Sequence, residues 1–204
     1  MQCTITARTW DTTSGRGSSE ANSLRREVQV AFNASQAALV VIDPWASHPN
    51  EGWAARMSEN LPNLLRVIQK FRSGGRPIFY DSTGLAIHPD ILAGTGPFDH
   101  FIEWDPAGGG TDVLNGLLIQ KGITSVFWAG YCANLCLMHK PCGFRHIMPR
   151  DWSRLHFLVR DATIAFESGD TLAQQSLLDA ACYEVEYYEN GYSCTVSALQ
   201  ATAF

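Results

Sequence analysis

No apolar run in the 204 residues approaches the roughly 18 to 20 that a membrane-spanning helix requires. The opening "MQCTITARTWDTTSGRGSSE" lacks the charged-then-apolar layout of a secretory leader. Positive charge is also scarce: 15 Lys and Arg are scattered against 20 Asp and Glu, for a formal charge of -5. They form no basic stripe of the kind that neutralises phosphates, which argues against a nucleic-acid partner. Six cysteines without a leader read as reduced thiols rather than a disulfide framework. Cys132, Cys136 and Cys142 give C-x3-C-x5-C with no second pair at zinc-site spacing, so no structural metal is expected. These absences point to a soluble, cytoplasmic protein that touches neither membrane nor nucleic acid.

What is present is apolar substance, 46% of the chain, sufficient for one well-buried core and short for two. Residues 1–36, rich in Ser, Thr and Gly, read as a largely irregular arm with a short strand at "CTITAR". Residues 37–204 read as one domain. "AALVVID", Ala37 to Asp43, is the continuous β-branched run of a parallel strand buried on both faces. "ENLPNLLRVIQKFRSGG" places Leu61, Leu64, Leu65, Ile68 and Phe71 on one helical face and stops at Gly74 and Gly75.

The alternation continues with strand "RPIFYDS", a short strand near "HFIEW", helix "TDVLNGLLIQKG", strands "ITSVFWAG" and "HFLVRDAT", helix "SGDTLAQQSLLDAACY" and a last strand at "EVEYYE". Strands alternating with helices predict an α/β, doubly wound, six-stranded and mostly parallel sheet with helices on both faces, a Rossmann-like arrangement.

Ligands of such sheets bind beyond the carboxyl ends of the strands. Asp43, Asp81, Glu103 and the segment "GYCANLCLMHKPCGF" all leave that edge. A helix beginning near Asn134, a good N-cap, puts Cys136 in its first turn, where free N–H groups and the helix dipole lower a thiol's pKa and can receive an oxyanion. Cys142 and Cys182 read as small core residues. Cys132, in the turn before the helix, reads either as core or as lining the pocket. Trp45, Trp53, Phe98 and Trp104 leave the same edge on loops, where they either wall a small apolar substrate pocket or pad the core.

"AALVVIDPW" and "GYCANLCL" together resemble the opening strand and the nucleophile segment of the isochorismatase-like cysteine hydrolases, and the elements from Ala37 to Tyr188 follow in that family's order. The resemblance implies an Asp-Lys-Cys triad in which Asp43 takes the thiol proton of Cys136, with no cofactor and a homo-oligomeric assembly. It implies hydrolysis of a carbon–nitrogen bond in a small amide-like substrate through a thioester. It also implies a cis peptide, matched here to Cys132–Ala133, and an oxyanion hole from the backbone N–H groups of Ala133 and Cys136.

At the family's lysine position stands Glu103; Lys121 and Lys140 lie out of register. Two unit charges about 4 Å apart at an effective dielectric of about 20 repel by roughly 4 kcal/mol, so Asp43, Glu103 and a Cys136 thiolate do not all ionise unpaired. Three readings follow. Glu103 shares a proton with Asp43 in acid–base catalysis; or Glu103 holds a cation, from His100, His139, Lys140, a metal or the substrate; or catalysis has given way to metabolite binding or assembly. In "DSTGLAIH", Thr83 stands where metal-using relatives of the nicotinamidase type carry a histidine after the aspartate, so no metal is assigned.

Overall fold

The computed structural model describes residues 1–10, 24–103, 109–188 and 190–203. A single sheet of eight strands runs through it in the order β2-β1-β8-β7-β6-β3-β4-β5. β3 (Ala37–Ile42) lies between β6 (Ser125–Tyr131) and β4 (Ile78–Asp81), all parallel, with β5 (Asp99–Ile102) beyond β4 at one edge. β7 (Leu155–Ile164) and β8 (Gly191–Cys194) extend the parallel set on the other side of β6. Every residue of β3 is fully buried, which accounts for its unbroken apolar sequence: both faces carry core. Each Val, Leu or Ile so buried contributes about 1.5–3 kcal/mol.

α1 (Glu51–Ser73) covers one face through Leu64, Val67, Ile68 and Phe71. It begins at Glu51 rather than at Glu59, because the Asn50 side chain accepts the Trp53 N–H at 3.0 Å and caps it there. The other face is covered by α3 (Gly109–Gln120), the short α4 (Phe144–Ile147) and α5 (Ser176–Tyr187). α2 (Pro89–Leu92) follows β4, and α6 (Val196–Ala201) is the last element.

The structure has two strands more than the expected six, and the first 36 residues are not largely irregular. β1 (Gln2–Trp10) and β2 (Arg25–Asn33) form an antiparallel hairpin in continuous register from Gln2↔Asn33 to Trp10↔Arg25. Cys3, Ile5 and Ala7 point inward while the polar residues between them face out, so a Thr-rich stretch still has the period of a half-buried strand. The hairpin joins β8 antiparallel at Arg8↔Ser193.

The expected last strand at "EVEYYE" falls largely within the end of α5, and the strand itself is β8. The cause is tertiary: Cys182, Val185 and Glu186 share a buried helical face. Glu186, fully buried, takes the Arg8 Nε at 2.7 Å, the Arg25 Nε at 2.5 Å and the Ser193 hydroxyl at 2.5 Å. That network fastens the hairpin to the domain and overrides the β preference of the tyrosines.

Candidate active site

β3, β4 and β6 end together. Ile42 pairs with Asp81 on one side and with Gly130 on the other, so Asp43, Asp81 and the chain after Tyr131 meet at one point on the carboxyl edge. Gly130 is required there: with φ +109, a Cβ would lie 2.2 Å from the Ile42 carbonyl oxygen. Asp43 itself adopts φ 47, in the left-handed region where aspartate is among the few tolerated non-glycine residues. Its N–H donates to the Asp81 carbonyl at 2.8 Å, and its Oδ1 accepts the Thr83 N–H at 3.0 Å.

The segment after β6 that carries Cys136 begins as a single π-helical turn, Ala133–Leu137, closed by the Leu137 N–H donating to the Cys132 carbonyl at 3.0 Å. Helical geometry ends by Lys140, ahead of Pro141. Asn134 is not its N-cap; that position is Cys132. The Asn134 side chain instead accepts the Phe166 N–H at 2.9 Å, tying the turn to the loop after β7. The cis peptide is Tyr131–Cys132, one bond before the expected one.

Lys140 comes back from this segment onto the carboxylates. Its Nζ donates to Asp43 Oδ1 and lies 3.5 Å from Asp81 Oδ1. Both acids are essentially inaccessible, and the lysine side chain is 11% exposed. Burial pushes the Asp43 carboxyl above its ordinary value, opposed first by Lys140. Burial likewise raises Asp81, with Lys140 again opposing and the Asp43 charge adding to the rise. Among the described residues no hydrogen bond reaches Asp43 Oδ2, and Lys140 and the Cys142 thiol lie beside the Asp81 carboxyl. The cluster therefore holds two carboxylates to one ammonium and retains a free proton acceptor on Asp43.

Cys136 adjoins the Asp43 carboxyl and is the one partly exposed cysteine; the other five are buried. Its thiol also faces Cys132, and the Cys132 contact, burial and the Asp43 charge together push its pKa up. The lowering that a helical first turn is expected to bring to Cys136 is therefore opposed by its neighbours. Cys142 donates to the Gly110 carbonyl at 3.1 Å, is held up by burial and by Asp81, and is a core residue.

The remaining predicted site residues divide. Trp45 is buried and stacks on His48 with centroids 5.7 Å apart. Trp53 stacks on Phe166 at 3.9 Å, and His48 contacts both rings. These four rings form one aromatic group in the loops after β3 and β7 and the first turn of α1. Cys132 is fully buried, facing Cys136 rather than open space.

Phe98 does not belong to the site. It precedes β5, its carbonyl accepts the Ile78 N–H at the start of β4, and its ring packs by Gly75, all at the amino edge of the sheet. Trp104 lies outside the described residues. Glu103 is exposed at the end of edge strand β5, with β4 between it and β3, so about two strand spacings, roughly 10 Å, separate it from the strand that carries Asp43. The charged partner of Asp43 is Lys140, and the assignment of Glu103 to the triad is corrected accordingly. The spacing that reveals Lys140 is in the sequence: it stands four residues after Cys136, one helical turn on the same face.

Among the described residues no group of three or more His, Cys, Asp or Glu is arranged to hold a metal, and no helix is long and apolar enough to cross a membrane. No family model and no curated protein matches the chain. Solved structures do. A nicotinamidase from Staphylococcus aureus superposes with a TM-score of 0.60 at 16% identity, covering 78% of this chain and 98% of that one. The chain has the fold of the isochorismatase-like hydrolases. An isochorismatase family protein from Burkholderia thailandensis gives 0.58 at 16% identity, covering 83% and 96%. A cysteine hydrolase from Pseudomonas syringae gives 0.56 at 13%, covering 81% and 91%. At such identities the likeness speaks for the fold, and function is argued from the site.

Proposed function

We propose that the protein is a cysteine hydrolase that cleaves a carbon–nitrogen bond in a small amide-like substrate through a thioester on Cys136. One observation carries the reading: the Lys140 ammonium rests on the carboxylate that adjoins the partly exposed Cys136 thiol. An acid and an amine buried in contact beside a thiol have little structural value, since each costs desolvation.

As the thiol attacks the carbonyl carbon, its proton passes to Asp43 Oδ2, the oxygen that accepts no other bond. Lys140 compensates the negative charge that then lies on sulfur and oxygen. The N–H groups of Ala133 and Cys136, at the start of the turn, are the donors proposed for the oxyanion. Collapse of the tetrahedral adduct returns the proton from Asp43 to the departing amine; Asp43 then deprotonates the water that hydrolyses the thioester. The aromatic group of Trp45, His48, Trp53 and Phe166 supplies an apolar wall, suited to a flat or hydrophobic acyl portion.

The test is a panel of small primary amides and esters, read by ammonia or alcohol release and by intact mass for an acyl adduct. Turnover by the wild type, lost in Cys136→Ala with the fold retained, is expected. Turnover near wild type in Cys136→Ala would overturn the assignment, and ligand binding without turnover would favour a silent metabolite-binding member of the fold.

A further inference from the structure

We propose that Cys132 and Cys136 form a reversible disulfide, with Cys136 the thiol that a hydroperoxide oxidises and Cys132 the thiol that resolves it. The hydrolytic scheme leaves Cys132 unused. It is nonetheless a fully buried thiol at the N-terminal boundary of the nucleophile's turn, facing Cys136 four residues on. The two differ in the way such a pair requires, because Cys136 is partly exposed and Cys132 is not. A soluble oxidant meets Cys136 first.

The local backbone brings the two residues together: the Leu135 and Leu137 N–H groups both donate to the Cys132 carbonyl, at 3.2 and 3.0 Å, so the turn carries Cys136 back over Cys132. Closing the bond draws their Cβ atoms to about 3.5–4.5 Å. The turn is single and ends by Lys140, so closing it disturbs no longer helix. Cys142 does not compete, since its thiol is engaged with the Gly110 carbonyl.

The steps balance. Cys136 gives its proton to Asp43, its sulfur attacks one peroxide oxygen, and the O–O bond breaks. The departing alkoxide takes the proton back from Asp43, leaving a sulfenic acid and an alcohol. The Cys132 sulfur then attacks the Cys136 sulfur, the S–O bond breaks, and the Cys132 proton leaves with the hydroxide as water. Two thiols and one hydroperoxide yield one disulfide, one alcohol and one water. The product blocks the proposed nucleophile and is reopened by a dithiol reductant; without Cys132, oxidation runs on to the sulfinic acid, which such reductants do not reverse.

The experiment uses hydrogen peroxide on the intact chain, followed by iodoacetamide under denaturing conditions and peptide mass spectrometry. Trypsin does not cut between Lys140 and Pro141, so Cys132, Cys136 and Cys142 remain on the peptide from Gly122 to Arg145. The expected wild-type peptide lacks two hydrogens, carries label only on Cys142, and regains label on Cys132 and Cys136 after dithiothreitol. Cys132→Ala and Cys132→Ser are expected to accumulate Cys136 sulfinic acid at least about tenfold faster than wild type. Equal sulfinic acid formation in wild type and both variants, or a bond from Cys136 to any other cysteine, would overturn the proposal. The readout is mass and not turnover, so the hydrolase assignment and the disulfide stand or fall separately.

Discussion

Lys140 donates to Asp43 from four residues beyond the thiol that the same carboxylate adjoins, so one short segment carries both the proposed nucleophile and the cation beside it. The cation beside Asp43 comes from this segment and not from β5, at whose end Glu103 is exposed. The arrangement makes the cation's position depend on the turn after β6 and on the break at Pro141.

Removing that cation leaves Asp43 and Asp81 buried beside each other. Lys140→Met is expected to destabilise the fold by about 3–5 kcal/mol at neutral pH, the usual cost of breaking a buried ion pair from one side. The loss should shrink in acid, where the carboxyls protonate, and in the double variant Lys140→Met/Asp43→Asn. Urea unfolding at pH 7 and pH 4 measures it; a pH-independent loss would mean that packing, not charge, holds Lys140 in place.

Asp81 gives the complementary case. Burial raises its pKa above the ordinary 3.8, against Lys140 and together with the Asp43 charge. A carboxyl whose folded pKa exceeds its unfolded value binds its proton more tightly in the native chain. The linked stability is then fully present below about 3.8 and is lost as pH rises through the raised value. Asp81→Asn removes this dependence. The variant is expected to exceed wild type in stability at pH 7 and to approach it below pH 3.8, and wild type being the more stable at neutral pH would contradict the account.

These charges bear on how much was legible in advance. The central strands and the covering helices follow from β-branched runs and 3.6-residue periods, since burial on both faces leaves few other sequences possible. The placing of Asp43 and Cys136 at the carboxyl edge is legible as well, because strand ends and turns are marked by Asp and Gly. The N-terminal hairpin was obscured by its Thr and Ser, although Cys3, Ile5 and Ala7 alternate as a strand requires. Phe98 and Glu103 were misplaced because β5 is only Asp99–Ile102. In so short an edge strand, a residue before it lies at the amino edge and one after it faces solvent. Lys140 stands out of register with the related pattern, and only its helical spacing to Cys136 marks it as the partner of Asp43.

For Glu103 the expectation is now silence. Glu103→Gln should change stability by no more than about 0.5 kcal/mol, as for other exposed positions, and leave the pH profile of Cys136 alkylation where it was. A displaced profile would return Glu103 to the site.

The Cys136 thiol itself reports on its neighbours. The Cys132 contact comes first among the causes that raise it, followed by burial and the Asp43 charge and contact. Iodoacetamide should therefore label Cys136 selectively in the native chain, slowly at pH 7 and faster as pH climbs past the ordinary thiol range near 8.5. Asp43→Asn removes an anion from beside the sulfur and leaves the Lys140 ammonium there, so its labelling curve should move to lower pH while turnover is lost. The two effects together separate a base from a mere structural partner. A carboxylate that only braced the turn would not leave behind a thiol that is more acidic and yet inactive. A curve that stays in place in Asp43→Asn, with the fold intact, would mean that Asp43 does not face the thiol and that the proton must leave by another route.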